Sequence, residues 1–167
     1  MAWLVAAAVL IGVLLAVLGG DAPDEVSLPP VHETELRQAA REAGCRLQRA
    51  RPGEQLNPAV AGGTGTTPAR PGVYEKSPGA PALVAALRNG IIVIQFRDLD
   101  GDDVDVLRTV QKAVPAGTIL APNDTEMPFA VAVTSYRRIL GCPNVSTRSI
   151  QAIQLFRGRF VGTGPDV

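Results

Sequence analysis

Histidine is almost missing from this chain: His32 is the only one in 167 residues. The neutral imidazole is the commonest base and metal ligand near neutral pH, so its scarcity removes much catalytic chemistry. Ser77, Ser135 and Ser146 have no histidine partner beyond the N-terminal stretch and no Gly-x-Ser-x-Gly elbow, which argues against a Ser-His-Asp hydrolase. Cysteine is scarce as well. Cys45 and Cys142 are far apart, so neither a zinc ribbon nor a Cys-x-x-Cys redox motif is available. Lysine occurs only at Lys76 and Lys112, and the 16 basic residues balance 16 acidic ones. A zero net charge gives no electrostatic reason to expect nucleic acid as a partner. Gly62 to Thr67 has the glycines of a phosphate loop without the Gly-Lys-Ser/Thr ending, and reads as a flexible connector.

What is abundant is apolar. Residues Ala2 to Leu18 carry no charge, and the first charged side chain is Asp21. As a helix, this run with its flanking glycines is about long enough to cross a hydrocarbon layer of ~30 Å. Trp3 suits the membrane–water interface. Residues 1–20 are therefore expected to be an uncleaved transmembrane anchor in contact with lipid through residues 2–18. A secretory signal peptide is the alternative; cleavage after Gly20 would put Leu18 where a small residue is preferred. Residues 21–32, with Pro29-Pro30, read as a semi-rigid linker. Residues 33–167 read as an exported domain, periplasmic or extracellular, on a single-pass protein of the cell membrane. In such a compartment two distant cysteines default to one structural disulfide; two free buried thiols are the other reading.

The domain is organised around Leu83 to Phe96. Leu83, Val84 and Leu87 fit a helical face, Asn89-Gly90 is a stop, and Ile91 to Ile94 is a β-branched run suited to a strand covered on both faces. Upstream, Glu33 to Ala43 reads as a helix ended by Gly44, and Arg46 to Arg51 as a short edge strand. Pro52 to Gly79 is a long Gly/Pro/Thr-rich loop with Val73-Tyr74 as its anchor. Downstream, Val104 to Val114 reads as a helix, Thr118 to Ala121 and Phe129 to Thr134 as strands, and Ser149 to Phe160 as a final helix. The pattern predicts an α+β fold, an α/β sandwich with a small mixed sheet behind one N-terminal transmembrane helix. The order β-α-β-β-α resembles the later half of thioredoxin folds, without the active-site cysteines.

Gly44-Cys45, Pro58 to Thr64 (PAVAGGT), Gly72-Val73-Tyr74, Leu83 to Gly90 (LVAALRNG), Thr134 to Arg137 (TSYR), Cys142 and Gly164-Pro165-Asp166 together resemble domain-of-unknown-function family 3105. This bacterial family typically has a membrane segment and an exported domain of this size. The corresponding family motifs are Gly-Cys, Pro-Pro-Thr-Ser-Gly-Pro-His, Gly-x-Tyr, Leu-Val-His-Ala-Leu-Glu-His-Gly, Thr-Ala-Trp-Gly, a second Cys and Gly-Pro-Glu. The family's histidines would suit a metal or catalytic site. Here those positions hold Thr64, Ala85 and Asn89, and Arg88 replaces the Glu, so the resemblance implies the fold, the anchor and the disulfide but a degenerate site.

The acidic run Asp98-x-Asp100-Gly101-Asp102-Asp103-x-Asp105 is the sharpest charge cluster. It lacks the EF-hand order and the Glu at its twelfth position. A helix cap is the favoured reading, and a calcium site using Asp98, Asp100, Asp102 and Asp105 the alternative. Arg137-Arg138 with Arg157 and Arg159 read as solvated charge, with an anion or lipid head group as the other reading. No cofactor, no metal and no catalytic residue is expected. The expectation is a non-enzymatic, accessory subunit of a membrane complex, with the 52–79 loop facing its protein partner. A metal- or small-ligand-binding domain, or a redox enzyme cycling Cys45 and Cys142, are the other classes weighed.

Overall fold

A computed structural model describes residues 35–62 and 67–167; the expected anchor, the linker and Thr64 lie outside them. The β-branched run becomes strand β3 (Ile92–Phe96), whose residues 92–95 are buried. β3 lies between β4 (Thr118–Pro122), which runs parallel to it, and β5 (Val131–Ser135), which runs antiparallel. A hairpin adds β6 (Arg138–Cys142), and β1 (Arg46–Arg49) pairs antiparallel with β6 at that edge. The opposite edge is the two-residue β2 (Gly72–Val73), parallel to β4. The sheet order is β1-β6-β5-β3-β4-β2. This is the α+β class with a mixed sheet that the sequence pattern predicts.

Side chains alternate across the sheet, as strand geometry requires. Ile92 and Ile94 face one side, where they pack with α1 (Leu36–Glu42), α3 (Gly101–Ala113) and α4 (Thr147–Phe160). Val93 faces the other side, against α2 (Ala80–Arg88) and the inner residues of the long loop. Phe156, Leu107, Ile150 and Ile153 are fully buried, or nearly so, on the first face, each contributing about 1.5–3 kcal/mol relative to an exposed side chain.

The helices start and stop for local reasons. The Asp100 carboxylate accepts the Asp103 backbone N–H at 2.9 Å and caps α3. Ser146 and Ser149 form a reciprocal capping box at α4. At the end of α2, Gly90 (φ +73°) donates to the Leu87 carbonyl and Ile91 to the Ala86 carbonyl, a Schellman stop. Gly44 (φ +67°) and Cys45 do the same for α1, bonding to Arg41 and Ala40.

That second stop has a consequence for the cysteines. It delivers Cys45 to the start of β1, whose register places Arg46 opposite Gly141. One step further along the same ladder Cys45 faces Cys142, and the two form a disulfide with Cα atoms 4.2 Å apart.

Two features depart from the sequence pattern. β6 is a full strand in a stretch where the sequence pattern marks no element. Gly141 interrupts its apolar run because the Phe129 ring lies over it; a Cβ there would sit 2.5 Å from the ring. The long loop also folds back onto the sheet. Val60 is fully buried, Ala69 is buried and Leu56 packs beside them. Val73, expected to anchor the loop, is exposed and holds it only through the β2–β4 ladder, while Tyr74 N–H donates to the Leu120 carbonyl at 2.8 Å.

Candidate functional site

Four motif segments far apart in the chain meet at one end of the sheet, where β3 begins and β5 turns into β6. The Arg137 backbone, in the left-handed conformation at φ +60°, makes that turn. Its N–H donates to the Val60 carbonyl at 2.8 Å, and its guanidinium donates to the Ala50 carbonyl at 2.9 Å. Next to it, the Arg88 guanidinium carbon lies 5.9 Å from the centroid of the Tyr136 ring. Arg88 also donates through Nε and Nη2 to the two carboxylate oxygens of Asp166, both at 2.7 Å. The hydrogen bonds to Asp166 push the Arg88 guanidinium above its usual value, against a smaller opposing effect of desolvation.

The C-terminal tail is seated by backbone contacts as well. The Asp166 N–H donates to the Arg88 carbonyl at 3.1 Å, and the Gly162 N–H donates to the Gly90 carbonyl at 2.8 Å. A Cβ on Gly164 would lie 2.1 Å from the Arg88 oxygen. Only a residue without a side chain passes there.

Three of the four positions expected to form the degenerate site can be placed. Ala85 is a buried methyl on α2. Arg88 is paired with Asp166. The Asn89 side-chain amide donates to the Ala85 carbonyl at 2.9 Å. Their polar atoms are used to fasten the helix end and the tail. Thr64 falls outside the described residues, within the loop that supplies Val60.

The carboxylates of the calcium reading are not gathered into one site. Asp98 pairs with the adjacent Arg97, Asp105 pairs with Arg108 at 2.7 Å, and Asp100 caps α3. Among the described residues no group of three or more His, Cys, Asp or Glu side chains could hold a metal ion. Burial, and then the neighbouring Asp100 and Asp102, push the Asp103 carboxyl above its usual value. Asp100→Ala is expected to lower stability by about 1 kcal/mol, the worth of an N-cap, equally with calcium or with a chelator present. Denaturant unfolding under the two conditions checks it; calcium-dependent stabilisation of the wild type alone would restore the metal reading.

A second polar cluster, not anticipated from the sequence, lies at the opposite end, past the C-termini of the parallel strands β3 and β4. Gln95 is 4% exposed and accepts a hydrogen bond from the Asn123 side-chain amide. Thr125 Oγ1 lies 2.7 Å from both Asn123 Oδ1 and Asn57 Oδ1. These residues, with Ser77, line a cleft of about 210 Å³. Strand ends of this kind are where open α/β sheets bind ligands. The one signal in the sequence is a Gln inside the otherwise apolar strand IVIQF.

The buried Arg157 has a structural explanation. It reaches from α4 to donate to the Val110 carbonyl, one of the last four of α3, and so caps that helix. Burial lowers its guanidinium below the usual value.

Fold and site therefore define a small α+β domain with helices on both sheet faces and a motif cluster without histidine. The family model described as "Protein of unknown function (DUF3105)" matches residues 55–159, and the chain belongs to that family. The matched stretch includes the Pro58 loop, LVAALRNG, TSYR and Cys142; Gly44-Cys45 and Gly164 to Asp166 lie outside it. No curated protein and no solved structure matches the chain.

Proposed function

We propose that the chain is a non-enzymatic, membrane-anchored extracytoplasmic domain that serves as an accessory subunit of a larger membrane complex. Residues 1–20 would hold it in the membrane and the domain from residue 33 onward would stand outside the cytoplasm. Among the described residues no helix is long and apolar enough to cross a membrane, so the proposed crossing belongs to the N-terminal run. The observation that carries the reading is the closed motif cluster. Arg88 is committed to Asp166 through two hydrogen bonds, Asn89 to its own helix, and Ala85 offers no polar atom. Where a catalytic domain keeps groups open to a substrate, this one uses them to fix its tail.

The test is recovery of the full-length protein from its native membrane in mild detergent, with every co-purifying polypeptide identified. A stoichiometric set of partners is the expected result. Recovery as a free monomer overturns the subunit role and shifts weight to the second reading, a small-ligand-binding domain. That reading is favoured by one feature, the hydrogen bond between buried Gln95 and half-buried Asn123 at the strand-end cleft.

A further inference from the structure

The net charge of zero conceals a strongly asymmetric surface. A groove of about 530 Å³ runs between α1, the edge strand β1, β6 and the end of α4. Five arginines line it, Arg37, Arg41, Arg49, Arg138 and Arg159, and no Asp or Glu does. None of the five takes part in an ion pair among the described residues.

Their placement works against the stability of the free protein. Arg49 and Arg138 are directly opposite in the β1–β6 ladder, where like charges repel. Arg138 is half-buried, and its hydrogen bond to the Tyr136 carbonyl is long, at 3.4 Å. Burial and then the charges of Arg49, Arg159 and Arg137 hold the Arg138 guanidinium below its usual value. The groove also has an apolar wall. Leu47 is 38% exposed beside it. The Phe160 ring carries Arg138 at 4.6 Å and Arg159 at 5.9 Å from its centroid, which fixes the orientation of two planar cations.

We propose that this groove binds a phosphate ester, its phosphate held between Arg49 and Arg138 and its organic part laid against Leu47 and Phe160. Guanidinium groups present paired donors that match phosphate oxygens. A phosphate with several acceptor oxygens satisfies cations converging from two strands and two helices better than a single carboxylate does. The volume leaves room for more than the phosphate itself. The ester could be a phospholipid head group or a soluble metabolite; the recognition chemistry is the same.

The experiment titrates the full-length protein in a neutral detergent with glycerol 3-phosphate, a soluble phosphate ester, and, separately, with short-chain phosphatidylglycerol. Calorimetry gives each Kd for the wild type and for the variant Arg49→Gln with Arg138→Gln. Saturable binding of at least one probe is expected, weakened at least about tenfold in the variant and weakened by added salt. Glycerol 3-phosphate alone binding assigns the groove to a soluble phosphate ester; the lipid alone assigns it to a head group. Neither probe binding, equal binding by the variant, or tighter binding of a tetraglutamate peptide than of either probe overturns the proposal. The variant's thermal midpoint without ligand is expected to equal or exceed that of the wild type, because a like-charge pair has been relieved, so loss of binding would not reflect loss of fold.

Discussion

Replacing both Cys45 and Cys142 with Ala is expected to lower the unfolding free energy by about 4–5 kcal/mol in the chain-entropy account of cross-links. The bridge closes a loop of sequence separation 97, and such a long loop is where a cross-link restricts the unfolded chain most. In the fold, Cys45 and Cys142 continue the β1–β6 register as a directly opposed pair. The bridge also fastens the β1 edge of the sheet. All four residues of β1 are exposed, so this strand brings little apolar burial of its own, and α1 is tied to the sheet through the Gly44-Cys45 stop. Denaturant unfolding of the full-length protein, with and without reductant, checks it. Wild type should fall to the level of the double variant when reduced, and the variant should not respond to reductant. A difference below about 1 kcal/mol, within the range of ordinary single substitutions, would show that the loop is held closed by packing alone.

The second large effect is expected at Gly90. Gly90→Ala should cost about 3 kcal/mol from two sources. The backbone there has φ +73°, and an L side chain in the left-handed region costs roughly 1–2 kcal/mol. The new Cβ would also lie 2.8 Å from the Gly162 backbone; forcing extra volume into such a contact costs typically about 1–3 kcal/mol. Gly162 supplies the control. Its φ is nearly the same, +72°, yet nothing lies within 4 Å of the site of its Cβ. Gly162→Ala should therefore show only the conformational part, roughly 1–2 kcal/mol. Comparing the two denaturation curves isolates the close approach of α2's end to the C-terminal tail. Equal losses would mean that the tail moves aside at little cost, and that the Arg88–Asp166 pair does not hold it in place.

The sequence was most legible where a local rule and burial agreed. Ile92 to Ile94 forms the central strand because β-branched residues without a polar face need cover on both sides, and α1, α3 and α4 on one face with α2 and the long loop on the other provide it. Asp100 reads as a helix cap, and its carboxylate is one. The Gly44-Cys45 step predicts a helix stop followed by a bridged cysteine, and both are present. These features depend on neighbours a few residues apart or, for the cysteines, on there being one possible intramolecular pair.

Tertiary structure decided the rest. Gly141 conceals strand β6, since its lack of a side chain answers to Phe129, twelve residues away and across the sheet. Val60 is isolated in a Gly-rich loop, and only the folded chain shows it fully buried. The motif cluster is the clearest case. Arg88 and Asp166 are 78 residues apart, and no local pattern predicts that one neutralises the other. The arginine groove follows the same logic, because the β1–β6 register sets Arg49 against Arg138. Periodicity and capping are short-range physics and can be read along the chain. Which distant side chains meet is fixed by strand order and register, and those choices belong to the sheet as a whole.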